Sequence, residues 1–307
     1  MKAFVRINAV SQDVKLEEIP IPKIQADEVL IKVKAFGVGI HDRYFIPINV
    51  EFPYTIGSEG SGEIIELGNQ VNGFSIGDSV IFTTILQPQG GSWAEYAVAN
   101  QSALIHLPDN LTFAQGAAIS IAGKTALECI RAIDLNRDDK LFIAGASGAI
   151  GSFVIQLAAN KGIHISASAS EKNHAYMQFL GVEKAVDYNN TNWKNKIIQW
   201  SNGGVSAALA IQPGTGIESI EVVKDGGKLI TVSGDNNAVI KERNIVVQQM
   251  EHHNDTQQKV VELVNAISKG EIEVVIEKEY PFEQALDALR KTETRHARGK
   301  LIVKGLN

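Results

Sequence analysis

Residues 141–162 read LFIAGASGAIGSFVIQLAANKG. A short apolar run is followed by three glycines spaced three apart, Gly145, Gly148 and Gly151. Beyond them Ile150, Phe153, Val154, Leu157 and Ala158 recur at i, i+3, i+4, the spacing of a half-buried helix. The pattern predicts strand, tight turn, helix. In that setting Gly145 starts the turn, Gly148 keeps a Cβ out of the path of a pyrophosphate, and Gly151 lets the helix lie close to the strand. Ser147, Ala149 and Ile150 complete a helix start whose free N–H groups and positive dipole end face an anion. The stretch therefore predicts a dinucleotide site; the alternative is a glycine-rich turn kept for packing alone.

Working outward, strands and helices alternate. IHISAS, KAVDY, SAALAI and GKLITVS are short apolar strands. NHAYMQFLG and a short segment with Ile217, Ile220 and Val223 are helices between them. Such alternation implies an α/β fold with a doubly wound parallel sheet. The first 110 or so residues differ: KAFVRI, EVLIKVKAFGV, SGEIIELG, DSVIFTTI and WAEYAVA are β-rich and cut by Gly, Pro, Asp and Asn, as in a barrel or sandwich. Thr112 is placed to cap a helix at FAQGAAIS. The helical stretch DTQQKVVELVNAISKG and a last strand–helix–strand, EVVIEKEYPF, EQALDALRK and GKLIVKG, end the pattern.

The second strand distinguishes the two nicotinamide dinucleotides. An NAD site places an Asp or Glu about 20 residues after the turn, on the ribose 2′-hydroxyl. Here that place holds Ser168, followed by Ser170 and Lys172. Hydroxyls and an ammonium suit a 2′-phosphate, and Tyr188 at the end of the third strand reaches the same region. The expected cofactor is NADPH rather than NADH. Lys172 has an alternative as a solvated lysine, and Glu171 is expected to point outward.

Length and composition bound the remaining classes. A chain of 307 residues suits two domains. The net charge of −6, with no Lys/Arg run, argues against nucleic acid. No stretch approaches the roughly 20 apolar residues that cross a bilayer. The opening residues do not read as a signal peptide, so the cytoplasm is the expected location. The single cysteine, Cys129, lies in KTALECIRAI and is expected to pack as a small hydrophobe. GKT at 123–125 lacks the first glycine and the preceding strand of a phosphate loop, and no tyrosine has a lysine four residues on.

KAFGVGIHD, IGSEGSGEIIELG, GDSVIF, GSWAEYA, GKTAL, AGASGAIG, LGVEKAVDY, GGKLITVSG and RGKLIV, in this order, resemble the medium-chain dehydrogenase/reductase superfamily over essentially the whole chain. The resemblance implies a discontinuous GroES-like catalytic domain, 1–121 with 266–307, and a Rossmann NADPH-binding domain, 122–265. It also implies a homodimer through edge strands of the Rossmann sheet. Thr125, Ser233, Arg298 and Lys300 fall in segments that the resemblance places at the cofactor, the last two near its phosphates.

Zinc divides this superfamily. Where its alcohol dehydrogenases carry Cys and His ligands, this chain has Gly39 and Ser58, and a short LQPQGGSW replaces the cysteine-rich lobe. Glu59 alone cannot hold the ion, and the adjacent His252 and His253 read as solvated. The chain therefore resembles the zinc-free quinone oxidoreductase branch, which implies reduction of quinones or α,β-unsaturated carbonyls (enones and alkenals). Without a Lewis acid, a conjugated acceptor is the easier target for hydride, because the charge spreads onto an oxygen that hydrogen-bond donors can stabilise. Tyr44 falls where the branch has a tyrosine near the nicotinamide, and His41 where zinc-dependent relatives relay a proton. These two are the candidate catalytic groups. The alternatives are a structural histidine and a packing tyrosine. Asp42 is expected to be structural. Phe45, Ile46, Phe52 and Tyr54 suggest an apolar substrate mouth. A second reading of the whole chain is an NADPH-binding sensor or crystallin-like protein with little turnover.

Overall fold

A computed structural model describes residues 1–234, 243–253 and 255–306. The chain divides into two compact units, Met1–Ile121 with Val274–Asn307, and Ala122–Glu273. The return to the first unit lies after Glu273 and not at the expected 265/266, a point inside a helix whose Val260, Leu263, Val264 and Ile267 are all buried.

The first unit opens with β1 (Lys2–Arg6), β2 (Val14–Glu18), β3 (Glu28–Val38), β4 (Tyr54–Thr55), β5 (Glu59–Leu67), β6 (Ser79–Thr83), β7 (Tyr96–Asn100) and β8 (Leu104–His106). Thr112 caps α1 (Phe113–Gly116) through a reciprocal pair: its hydroxyl accepts from the Gln115 N–H, and the Gln115 side chain accepts from the Thr112 N–H at 2.9 Å. Helix α2 (Ser120–Ile133) carries the chain into the second unit.

That unit contains β9 (Lys140–Ala144), α3 (Ala149–Asn160), β10 (His164–Ser168), α4 (His174–Leu180), β11 (Lys184–Val186), α5 (Trp193–Ser201), β12 (Val205–Ala210), α6 (Gly216–Ile220), β13 (Val223–Thr231), β14 (Val246–Gln249) and α7 (Thr256–Ser268). Its six strands lie in the order β11-β10-β9-β12-β13-β14, every neighbouring pair parallel. This is a doubly wound sheet in which chain order reverses beside β9. Val223, expected on a helix, instead begins β13, while α5 and β14 are elements that the residue pattern did not reveal.

The chain then adds β15 (Ile276–Tyr280), α8 (Ala285–Glu293) and β16 (Lys300–Lys304) to the first unit. Strand β16 pairs antiparallel with β3, giving the order β15-β16-β3-β5-β6-β8 with β7 also on β3; a second sheet is β2-β1-β4. The core of this unit is aromatic. Phe36 stacks on Trp93 at 5.1 Å, and Phe4 meets Phe282 at 5.2 Å. Among the described residues no helix is long and apolar enough to cross a membrane.

Candidate functional site

In the second unit the turn after β9 occupies the end of the sheet where strand order reverses, the place at which open α/β sheets take ligands. Gly145 has φ +84°, and a Cβ there would come within 2.7 Å of Gln212. At Gly151 a Cβ would lie 2.4 Å from the Ala146 carbonyl oxygen, so close packing of α3 on its strand requires glycine. Gly148 is different. Its φ of −82° suits any residue, and a Cβ would meet only the Gly145 carbonyl oxygen, at 3.7 Å. The protein's own packing does not demand glycine there, and the absence of a Cβ leaves room for a group approaching the turn from outside. No side chain caps the start of α3, so Ala149 and Ile150 present their end of the helix as a pyrophosphate requires. These residues fit a dinucleotide.

The second-strand residues gather nearby. Ser168 ends β10 in register with Val186 of β11, which puts Ser170 and the exposed Tyr188 at the same edge of the sheet. Lys172 and Glu171 are both exposed on a short turn headed by Ser170. Asn173, which motif spacing did not single out, donates to the hydroxyls of both Ser147 and Ser170 at 3.3 Å. It thereby ties the glycine turn to the second-strand turn. An asparagine close behind two serines was the available signal. Ser233 follows β13 and donates to the Ile211 carbonyl at 2.9 Å, and Thr125 is buried on α2.

Elsewhere in this unit Cys129 is buried with its thiol pushed up to about 12, by burial and then by Glu128, and its sulfur lies 3.7 Å from that of Met250. It packs as expected. His252 is not simply solvated: it lies 2.7 Å from the buried Glu128 carboxylate, which also accepts the His253 N–H.

In the first unit, β3 runs into the turn Gly39–Ile46, which carries both candidate proton donors. Asp42 organises it. This buried carboxylate accepts the Gly39 N–H at 2.6 Å and the Ser58 hydroxyl at 2.7 Å. Burial raises its pKa to about 6, against the opposing pull of Lys300, Ser58 and the Gly39 N–H. His41 stacks on Phe45 at 5.3 Å, and its pKa is lowered by burial and then by Arg295. A neutral imidazole at pH 7 gives a hydrogen bond through its N–H, not an imidazolium proton. Tyr44 is exposed, and its hydroxyl accepts from Arg43 at 2.9 Å.

Two expected site residues are buried. Lys300, expected near a cofactor phosphate, is buried within the first unit and ion-paired with the buried Glu59, whose other oxygen accepts the Ile121 N–H at 2.8 Å. Gly37 makes room for the pair, since a Cβ there would lie 2.8 Å from both the Glu59 carboxylate and the Lys300 side chain. Tyr54 does not line an apolar mouth; it is buried on β4 and its hydroxyl donates to the Gln87 carbonyl. Phe45 is exposed, and Ile46 and Phe52 are half-buried. Arg298 is exposed, its backbone N–H bonded to Glu277.

The same contacts test a catalytic zinc. Gly39 offers no ligand, the Ser58 hydroxyl is given to Asp42, and Glu59 is neutralised by Lys300. This donor set does not fit the ion. Among the described residues no group of three or more His, Cys, Asp or Glu is placed to hold a metal.

Comparison with known proteins agrees with this architecture. A family profile described as "Alcohol dehydrogenase GroES-like domain" matches residues 25–109, and one described as "Zinc-binding dehydrogenase" matches 180–303. The chain belongs to the medium-chain dehydrogenase/reductase superfamily. It is 26% identical to the chloroplast envelope quinone oxidoreductase homolog of Arabidopsis thaliana, over 93% of this chain and 92% of that one. It is 28% identical to the NADPH-dependent alkenal/one oxidoreductase of the same plant, over 99% and 79%. The solved quinone oxidoreductase of Coxiella burnetii superposes with a TM-score of 0.86 at 28% identity, covering 100% of this chain and 99% of that one. Within the superfamily, these relatives place the chain in the zinc-free quinone oxidoreductase branch.

Proposed function

We propose that this protein is a zinc-independent, NADPH-dependent reductase of quinones or α,β-unsaturated carbonyls. The observation that carries the reading is Gly148: a glycine that internal packing does not require, on a turn at the switch point of a parallel sheet, with an uncapped helix start behind it. Gly145, Ser147, Ala149 and Ile150 hold the pyrophosphate. Ser168, Ser170, Lys172 and Tyr188 hold the 2′-phosphate, with no carboxylate at the second-strand end to repel it. Thr125, Ser233 and Arg298 are assigned to the remaining cofactor contacts. Assembly as a homodimer and residence in the cytoplasm belong to the same reading.

The reduced nicotinamide, when bound, supplies a hydride. What remains for the chain is to stabilise the negative charge that the acceptor gains on oxygen and to return a proton. Tyr44 and His41 are assigned these roles, the phenol as proton or hydrogen-bond donor and the neutral imidazole as a hydrogen-bond donor. Asp42 fixes the turn on which both stand. The assignment of substrate class is supported by the activities for which the relatives are named and by the unsuitable zinc donors, since without a Lewis acid a conjugated acceptor is the easier target for hydride.

The deciding experiment follows NADPH and NADH oxidation in parallel with 1,4-benzoquinone, 9,10-phenanthrenequinone and a panel of alkenals. Turnover with at least one acceptor, faster with NADPH, is expected. Tight NADPH binding without turnover on any acceptor would favour a sensor or structural role instead.

A further inference from the structure

We propose that Arg43 is a positioning residue that aims the proton of Tyr44 at the acceptor's oxygen. The inference rests on the assignment of Tyr44 as donor. The Arg43 Nη2 donates to the Tyr44 hydroxyl at 2.9 Å, and the guanidinium carbon lies 5.0 Å from the centre of the phenol ring. The same nitrogen is 2.6 Å from a carboxylate oxygen of Glu293 on α8, and the backbone of Arg43 is held by Arg6, whose Nη1 donates to the Arg43 carbonyl at 3.2 Å. Arg43 is thus held at its backbone carbonyl by Arg6 and at Nη2 by Glu293.

A guanidinium has five N–H donors and no acceptor, so in its contact with Tyr44 the phenol oxygen must be the acceptor. That settles the direction of the bond. One lone pair of the phenol oxygen is engaged, and its single hydrogen is left for another oxygen. A tyrosine on an open turn would otherwise rotate its O–H among several water partners. Here the cation selects the donating orientation and stands ready beside the oxygen when it loses its proton. In the step so assisted, the hydride brings an electron pair to the conjugated acceptor, whose oxygen becomes negative. The O–H bond of Tyr44 breaks, an O–H bond forms on the product, and the phenolate beside Arg43 regains a proton from water on its exposed side. Glu293, on an element far along the chain, keeps the guanidinium from swinging into solvent.

The test is a double-mutant cycle on the full chain, using Arg43→Met, Tyr44→Phe, the pair together, and Arg43→Lys. Two readouts are taken: kcat with the best acceptor of the panel, and the affinity of the NADP⁺-saturated protein for 4-nitrophenolate, an anion standing in for the reduced acceptor. NADPH affinity by fluorescence titration serves as the fold control and is expected to be unchanged. Each single substitution is expected to lower kcat about tenfold, the scale of one charge-assisted hydrogen bond. The double variant is expected to fall no further than the worse single one, and Arg43→Lys to recover part of the loss, since an ammonium can also donate to the phenol oxygen. Independent action would instead multiply the two losses to about a hundredfold, and that result overturns the proposal while leaving Tyr44 as donor. If Tyr44→Phe alone stays within about threefold of the parent, the donor assignment falls and the role of Arg43 falls with it. The rate decides where an acceptor turns over; phenolate affinity, with the same pattern of coupling, decides where none does.

Discussion

A methyl group added at Gly151 would sit 2.4 Å from the Ala146 carbonyl oxygen, whereas the same methyl at Gly148 touches almost nothing. The two glycines, three residues apart, therefore answer to different masters, the fold and the ligand. Gly151→Ala is expected to destabilise the second unit by about 1–3 kcal/mol, the range of overpacking, seen as a lower melting temperature. Gly148→Ala should melt with the parent but bind NADPH at least about tenfold more weakly, because the methyl occupies the pyrophosphate's approach. Equal NADPH affinity in the two proteins would remove the ligand argument for that glycine. Asp42 gives a second residue-scale test. Its carboxyl, ordinarily near 3.8, titrates at about 6 in the folded chain. The folded state thus holds this proton to higher pH than the unfolded chain does. The stabilisation from it is full below about pH 4 and is lost as pH rises through about 6. Asp42→Asn should flatten that part of the stability–pH curve, and Asp42→Ala should flatten it too while costing about 1–3 kcal/mol more than Asp42→Asn, because it strips the partners from Gly39 and Ser58. An unchanged slope in the Asn variant would refute the assignment.

Among the elements, the strand–turn–helix of 140–160 was legible because everything that defines it is local: an apolar run, three glycines and a helical stripe within one short window. Its buried face is displaced from the stripe, since Ile155 and Gln156 are also covered while Ile150 and Leu157 are only half-buried. Features closed by distant partners were not legible. Lys300 read as a phosphate contact because its counter-ion, Glu59, is remote in sequence and meets it only through the pairing of β16 and β3 with β5. Tyr54 read as part of an apolar mouth because nothing nearby revealed the Gln87 carbonyl that takes its hydroxyl. Helix α5 was hidden by a polar sequence in which only Trp193, Ile197 and Ser201 are buried. The turn after β10 is where element-scale recognition is tested. Lys172→Glu is expected to raise the Kd for NADPH about tenfold or more, by losing an ion pair and adding repulsion, while leaving that for NADH nearly unchanged. Equal effects on both dinucleotides would place Lys172 in solvent.

For the molecule as a whole, ligand and metal dependence should diverge. Dialysis against a chelator is expected to leave turnover unchanged, and added zinc to give no gain, because neither Gly39 nor Ser58 nor Glu59 is available to the ion. A loss of activity restored by zinc would contradict this. NADPH at a hundred times its Kd should stabilise the unit it binds by about 2.7 kcal/mol, read as a shift of one unfolding transition in calorimetry.

The course of the chain through the first unit also orders its biogenesis. The second unit is one continuous segment, Ala122–Glu273, and every strand of its sheet is present once that segment has been synthesised. The first unit must wait. Strand β3 emerges early, yet its neighbour β16 is made at residues 300–304, so an open edge persists while the intervening domain is translated and folds. A nascent chain stalled before Lys300 would carry a finished coenzyme-binding module joined to an unfinished, self-adhesive sheet, making the last strand the checkpoint between a productive enzyme and an aggregate.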